Sequence, residues 1–537
     1  MRTTNNHFPT TLNMKIYFLI LALIFPVLTS NGQGTPPSCV ITTPHSNAYY
    51  QEGSDIMIRV YASGAGGSYT AATVEKVELF KDDIKLGETT SSEAYTFSYL
   101  WTDVSAGTYR ITAKASADNG LSQVSAGVIM TVGTDPVTAS GLSANKGKYL
   151  ANINGYNRGD YLSYWNGVTA ENSCKWGSVE GMRDYMNWTN ADKTYNFAKD
   201  NHLSFRYHVI AWGSQYPSWI TTLSPEDFQA EVEEYMAAIA ARYPLIDQIE
   251  VLNENMYINT YNKEEHAAGT PYFRAGLGGP GETGYDWAIW LFEKARYYFP
   301  DTKLVINDFE LETNPAGLNE ILALVKVLRD RGLIDGFGTQ AHYFNVDGIY
   351  ASTLKNALDN MARSGVPIYV TELDMKGKSN TEDSQLTSYK TAFPEYWNHP
   401  AVAGITLWGY VEGATWSAGT GLLNSNGSER SAMTWLKTFM ESQPDVGYPF
   451  GKGSVTTKTG EIKVRNIQVY PNPSTDYIMI SGLQEVSDIS IFDMSGKLVL
   501  RTKSAGKVDI SGLDNGLYLL RIGDEKTVRI AKMEEIR

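Results

Sequence analysis

The chain has 537 residues, 42% hydrophobic and 19% charged, a balance of folded globular material rather than a disordered or collagen-like chain. Its formal charge of −14, from 45 Lys and Arg against 59 Asp and Glu, argues against nucleic acid as a partner, because such binders concentrate Lys and Arg on one face. The length exceeds what one core supports, so about two to four domains are expected.

Cys39 and Cys174 are too few for a disulfide framework and fall in different expected domains, so two free thiols are expected. No Cys/His cluster has zinc spacing, and neither a metal nor a cofactor is implied. Aromatics make up 12%, with 34 Tyr and 12 Trp; such rings suit sugar faces as well as cores. From Met14, "MKIYFLILALIFPVLTSNGQG" sets a lysine before an apolar run and then small polar residues. Residues 1–33 therefore read as a secretory signal peptide, and the run is too short for a comfortable membrane span. No later stretch is long and apolar enough to cross a bilayer, so the mature protein is expected to be soluble, with no transmembrane segment.

Residues 38–133 alternate at period two in "DIMIRVYAS", "VEKVELFKDD", "AYTFSYLWTDV" and "GTYRITAKASAD", the pattern of a small β-sandwich. "KVELFKDDIKLGE" and "AGTYRITAKASADNG" resemble bacterial immunoglobulin-like domains found beside secreted polysaccharide hydrolases. The resemblance implies a spacer or a sugar-binding module, and the lack of an exposed-looking aromatic cluster favours the spacer.

After the joint "GTDPVTASGLSANKGK" the texture changes to short strands alternating with amphipathic helices. "SPEDFQAEVEEYMAAIAARYP" is a helix, with Ser224 at its cap, Pro225 in the first turn and Asp227 at the capping-box position. "NPAGLNEILALVKVLRDRG" is another, closed by Gly332. Strand candidates between helices are "YLANI", "VTAEN", "SFRYHVI", "QIEVLNE", "KLVINDF", "GFGTQAH", "IYVTELD" and "GITLWGY". This alternation over 138–443 predicts an α/β fold, a (β/α)8 TIM barrel, with an open doubly wound sheet as runner-up that lacks its Gly-rich phosphate turn. The tail, 467–537, is β-like and predicts a small C-terminal β-sandwich. Its "VYPNPSTDYIMIS", "ISIFDMSGKLV" and "GLDNGLYLLRI" resemble the C-terminal sorting domain of the type IX secretion system. That likeness implies the type IX machinery as partner and a secreted or outer cell-surface location.

In a barrel the C-terminal strand ends meet on one face, where chemistry sits. Reading each candidate to its end gives Glu171-Asn172, His208 with Trp212, Asn253-Glu254, Asn307-Asp308, Gln340 with His342, Glu372, and Trp408. Strand side chains alternate, which pairs Gln340 with His342, Val370 with Glu372, and Leu252 with Glu254. Glu254 and Glu372 then oppose one another from the fourth and seventh strands. The same parity puts Glu250 and Arg206 deeper, as a buried ion pair. Two opposed carboxyls, one protonated and one ionised, are what glycosidic cleavage needs.

Residues 141–440 resemble glycoside hydrolase family 10, the retaining endo-xylanases, with the motifs in family order. "VTAENSCKWGSVE" looks like the strand-two segment, which implies that Glu171, Asn172 and Lys175 bind the sugar one step from cleavage. "YHVIAWGSQYPSWI" places His208, Trp212 and Gln215. "VLNEN" makes Glu254 the acid/base and Asn253 the contact to the sugar's 2-hydroxyl. "GTQAH" sets Gln340 and His342 beside the nucleophile, and "VTELD" makes Glu372 that nucleophile. "ITLWGYVEGATW" supplies Trp408 and Trp416 as sugar platforms. Three positions depart from the family: Gly213 where His is usual, Glu412 where Asp is frequent, and Ser417 where Arg follows the second Trp. They touch subsite walls and put the preferred substrate in question. So does the Gly-rich stretch "NKEEHAAGTPYFRAGLGGPGETGYDW". The resemblance implies a secreted endo-β-1,4-xylanase acting on xylan. The alternatives are a β-glycanase for mixed-linkage glucan or algal xylan, and a non-catalytic polysaccharide-binding protein.

Overall fold

The computed structural model describes residues 34–64, 72–135, 140–153, 158–255, 271–446, 468–481, 487–493, 497–504, 506–522 and 526–533. The leader read over 1–33 lies outside these, as does the first part of the Gly-rich stretch, 262–270. The chain divides into two compact units, Met1–Val455 and Thr456–Arg537. Among the described residues, no helix is long and apolar enough to cross a membrane.

The first unit opens with a two-sheet sandwich. One sheet runs Ser38–Thr43, Ser54–Ser63, Thr96–Val104 and Ser92–Glu93; the other runs Tyr49–Gln51, Val128–Gly133, Gly107–Ala117, Val74–Lys81 and Ile84–Thr89. Period-two patterning explains the core: Ile56, Ile58 and Val60 are fully buried, and so are Ile111, Ala113 and Ala115, all within one apolar cluster. Cys39 and Cys174 are buried free thiols.

The remainder of this unit is a closed barrel of eight parallel strands: Tyr149–Ile153, Gly167–Thr169, Ser204–Tyr207, Gln248–Asn253, Lys303–Asp308, Gly336–Thr339, Ile368–Leu373 and Val402–Leu407. Pairing of Arg206 with Gln248 completes the ring between the third and fourth strands. A short continuation of the third, Ala211–Trp212, sets Trp212 opposite Asn253. The helices close over the strands with apolar stripes at helical spacing, as Leu318, Ile321, Leu324, Val325 and Leu328 do in Pro315–Arg329. Their starts obey local chemistry: Ser224 Oγ accepts the Asp227 amide at 3.1 Å, and Asn314 Oδ1 accepts the Gly317 amide at 3.0 Å.

The barrel interior changes character with height. Tyr149, Ala151, Val305 and Tyr369 form a small apolar cluster, with the two tyrosine rings stacked 6.2 Å apart. Above them lies charge. Arg206 and Glu250, both buried, pair at 3.2 Å; Arg206 also donates to Thr169 Oγ1 at 3.2 Å and to the Thr371 carbonyl. Strict alternation, expected from the sequence up to the strand ends, does not carry through to the rim. The pairing register shifts between Glu250 and Leu252 and again between Val370 and Leu373. Leu252, two residues beyond the inward Glu250, therefore joins the apolar cluster shared with the helices while Asn253 bonds toward the axis. Val370 and Thr371 still alternate, and it is Glu372, next after the inward Thr371, that the second shift turns into the cleft. A bulge adds a residue and turns the side chains beyond it in a new direction.

The second unit has a three-stranded sheet, Gln468–Tyr470, Tyr477–Ser481 and Lys507–Asp509, and a four-stranded sheet, Leu498–Ser504, Ser487–Asp493, Gly516–Ile522 and Lys526–Lys532. Ile478, Ile480, Ile489, Ile491, Leu520, Ile522 and Ile530 fill its core.

Removing one partner of a buried pair leaves an uncompensated charge. Glu250→Ala is expected to cost about 3–5 kcal/mol of the first unit's unfolding free energy. Urea titration followed by tryptophan fluorescence measures it; a loss under about 1 kcal/mol would show that the pair does not hold the barrel axis.

Candidate active site

A cleft of about 500 Å³ opens at the C-terminal end of the barrel, the size of a small-molecule or sugar site. All thirteen side chains singled out from the sequence line it: Glu254 and Glu372, with Glu171, Asn172, Lys175, His208, Trp212, Gln215, Asn253, Gln340, His342, Trp408 and Trp416.

Glu254 comes directly after the fourth strand with φ of +56°, in the left-handed region that non-glycine residues rarely enter. Its amide donates to the Asn307 carbonyl at 2.9 Å, and the next amide, of Asn255, donates to Asp308 Oδ2 at 2.9 Å. These two bonds to the fifth strand fix the turn that aims the carboxyl into the cleft. Gln340 Nε2 donates to Glu254 Oε1 at 2.9 Å. Burial, reinforced by the negative charge of Glu372, raises the Glu254 carboxyl above its ordinary pKa, and the bond from Gln340 offsets this in part.

Glu372 meets the opposite surroundings. Burial alone would raise it too, but His342 Nε2 lies 3.3 Å from Oε2, and the charges of His208, His342 and Arg206 act in the same direction. The carboxyl falls to about 2. Asn307 Nδ2 donates to Oε1 at 2.9 Å and also to Asn253 Oδ1 at 3.0 Å, so one amide links the two strand ends. Thr371 Oγ1 donates to Asn307 Oδ1 at 2.6 Å and fixes which way that amide faces.

The imidazoles are set by carboxylates. His342 Nδ1 lies 3.2 Å from Asp374 Oδ2, and with Glu372 on its other nitrogen its pKa rises to about 10 despite burial. It is an imidazolium at neutral pH. His208 Nδ1 sits 2.6 Å from Glu250 Oε2. The ligand atoms of His208, Glu250 and Glu372 lie within 4.8 Å of one another, a spacing that would suit a metal. Here Arg206 already balances Glu250, and His342 with Asn307 occupies Glu372, so the trio works as a charge network. Lys175 donates to Asn172 Oδ1 at 2.8 Å and lies 4.6 Å over the Trp212 ring, with burial lowering its pKa.

Sequence reasoning misses several contributors. Phe309 and Phe344 line the cleft, and Phe344 lies 5.5 Å from the His342 ring. Asp374 also accepts from Trp416 Nε1 and, at 2.8 Å, from the Tyr343 amide. Its signal is present in "VTELD", two residues beyond Glu372. Asn307 stands among the rim residues in the sequence, but its role as a link between strands does not show there.

Replacing Asp374 by Asn removes a negative charge facing His342. The ring's pKa is expected to drop from about 10 toward the ordinary value near 6.5, read by NMR titration of the histidine ring protons. A His342 midpoint unchanged in Asp374→Asn would show that the carboxylate does not set its charge.

The profile described as Glycosyl hydrolase family 10 matches residues 138–439, Bacterial Ig domain matches 37–125, and Secretion system C-terminal sorting domain matches 468–533. The chain is similar to endo-1,4-beta-xylanase B of Cellvibrio japonicus, 39% identical over 292 residues, 54% of this chain and 45% of that protein. It thus spans less than half the length of that relative. It is similar also to endo-1,4-beta-xylanase 3 of Hypocrea jecorina, 30% identical over 258 residues, 47% of this chain and 68% of that protein. Among solved structures, xylanase 10B from Thermotoga maritima covers 57% of this chain and 98% of its own at 24% identity, with a TM-score of 0.49. With more than half its length matched by the first profile, the chain belongs to glycosyl hydrolase family 10.

Proposed function

We propose that this protein is a retaining endo-β-1,4-xylanase that cleaves internal bonds of xylan by double displacement. One observation carries the reading: two glutamates line one cleft, and their surroundings drive their protons in opposite directions. Glu254, whose burial makes it hold its proton more tightly, donates to the glycosidic oxygen as the bond breaks. Glu372, held ionised, attacks the anomeric carbon and forms a glycosyl ester. Glu254, now a carboxylate, takes a proton from water, which hydrolyses the ester and returns both groups to their starting states. In this scheme Asn253 holds the sugar's 2-hydroxyl, Glu171, Asn172, Lys175, His208, Trp212 and Gln215 bind the glycone, Gln340 and His342 steady the two carboxyls, and Trp408 and Trp416 stack on sugar faces. The names of the relatives support xylan as substrate. The matched sorting domain and the leader-like N-terminus support export by the type IX machinery, with a secreted or outer cell-surface location. The proposed division of the chain is 38–133, 138–443 and 467–537 after a leader at 1–33.

A second backbone specificity is favoured by Gly213, beside Trp212 in the cleft wall, and by Ser417, whose hydroxyl receives Lys376 Nζ at 3.4 Å. Each stands next in the chain to a cleft-lining tryptophan, Trp212 or Trp416.

On a polysaccharide panel, release from xylan is expected, with the β-anomer appearing first by proton NMR; release from mixed-linkage glucan alone, or an α-anomer first, would displace the reading. Glu254→Gln is expected to lower kcat on xylan about 10²–10⁴-fold, and Glu372→Gln to leave no measurable turnover. Near wild-type rates in either would remove that residue from its role.

A further inference from the structure

The sequence suggests a spacer for the N-terminal sandwich, and a spacer has no need of contacts with the domain it precedes. The contacts here are many, and they fall on the barrel face away from the cleft. Ser38 Oγ donates to the Gly365 carbonyl at 2.5 Å, just before the seventh strand. The Ser46 amide donates to Asp247 Oδ1 at 2.9 Å, just before the fourth. Asn47 Nδ2 reaches the carbonyls of Ala198, at 3.1 Å, and Leu203, at 3.4 Å, just before the third. Arg110 holds Asp301, just before the fifth, through Nε at 2.9 Å and a second nitrogen at 2.6 Å. Gly365, Asp247, Leu203 and Asp301 each lie just before a barrel strand, and Ala198 lies in the last turn of the helix Thr189–Asp200 that leads to the third.

Packing has the same pattern. Val40 and Tyr61 of the sandwich belong to the apolar cluster of the barrel, not to the sandwich's own core. Two glycines mark the closest approaches. A Cβ at Gly127 would come within 2.3 Å of Asp301 Oδ1, and one at Gly147 within 2.0 Å of an Arg59 guanidinium nitrogen. Beneath the loop His45–Asn47 lies a buried ion pair, Asp247 with Lys303 at 2.5 Å, and the Ser46 amide supplies one of the bonds that satisfy the Asp247 carboxylate. A charge in that position needs all its partners.

We infer that the sandwich is the floor of the barrel, a structural module that covers its N-terminal face and unfolds with it as one cooperative unit. Polar groups at strand starts that would otherwise face water are bonded by sandwich side chains and amides, and two sandwich side chains complete the barrel's apolar packing.

Scanning calorimetry of the full chain, with fluorescence of the barrel tryptophans, tests this. The wild-type sandwich and barrel are expected to melt in one transition. Arg110→Ala and Gly127→Leu should each lower its midpoint by at least about 2 °C, while Lys85→Ala, on the exposed strand Ile84–Thr89, leaves it unchanged. Gly127 has ordinary backbone angles, so its substitution reads the interface and not backbone strain. Separate melting of the sandwich, with the barrel midpoint unmoved by either variant, would overturn the inference. Hydrogen exchange on the wild type provides a readout that no misfolded variant can spoil. The Ser46 amide, bonded across the junction, should be protected as strongly as that of Ile249 in the fourth strand; exchange at the rate of an open loop would overturn the inference as well.

Discussion

Burial alone would raise the pKa of both carboxyls in the cleft, Glu254 and Glu372. What separates them is the distribution of positive charge. Glu372 faces the His342 imidazolium and feels Arg206 and His208 from below, whereas Glu254 is met by the neutral amide of Gln340. The asymmetry depends on a column of charge along the barrel axis. Arg206 is held by Glu250, Glu250 also holds His208, and Asp374 holds His342. Glu250 and Asp374 thus stand behind the groups that face Glu372, and that keeps a cluster of buried charges tolerable.

Barrel geometry makes such a column possible. Inward side chains stack in layers, and here the layers run from stacked tyrosines, through the Arg206–Glu250 pair, to the two glutamates that line the cleft. Arg206 and Glu250 are themselves buried above this layer, so their mutual attraction is less screened than it would be at the surface. Asn307 ties the parts together, because one amide bonds both Asn253 at the end of the fourth strand and Glu372 at the end of the seventh.

Much of this is legible in the sequence, for a physical reason. Strands buried on both faces read as apolar runs, so the polar residues ending them stand out, and Glu171, His208, Asn253, Glu254, Gln340, His342 and Glu372 are visible in that way. The Arg206–Glu250 pair comes from alternation in the regular lower parts of the strands, where the register holds. Alternation fails at the rim because bulges and the left-handed turn at Glu254 depend on bonds to neighbouring strands, which no local pattern encodes. Phe309 and Phe344 look like ordinary core aromatics until the cleft is seen beside them. The seating of the sandwich is invisible for a different reason. Ser38 and Asn47 bond to backbone carbonyls, which every residue carries, so the barrel sequence bears no mark of them.

The opposite displacement of the two glutamate pKa values is open to direct observation through the carbonyl carbons of labelled glutamate, titrated by NMR and assigned with Glu254→Gln and Glu372→Gln. The expected result is a midpoint of about 2 for Glu372, and one above the ordinary glutamate value for Glu254. Two ordinary midpoints, or the reverse order, would contradict the account.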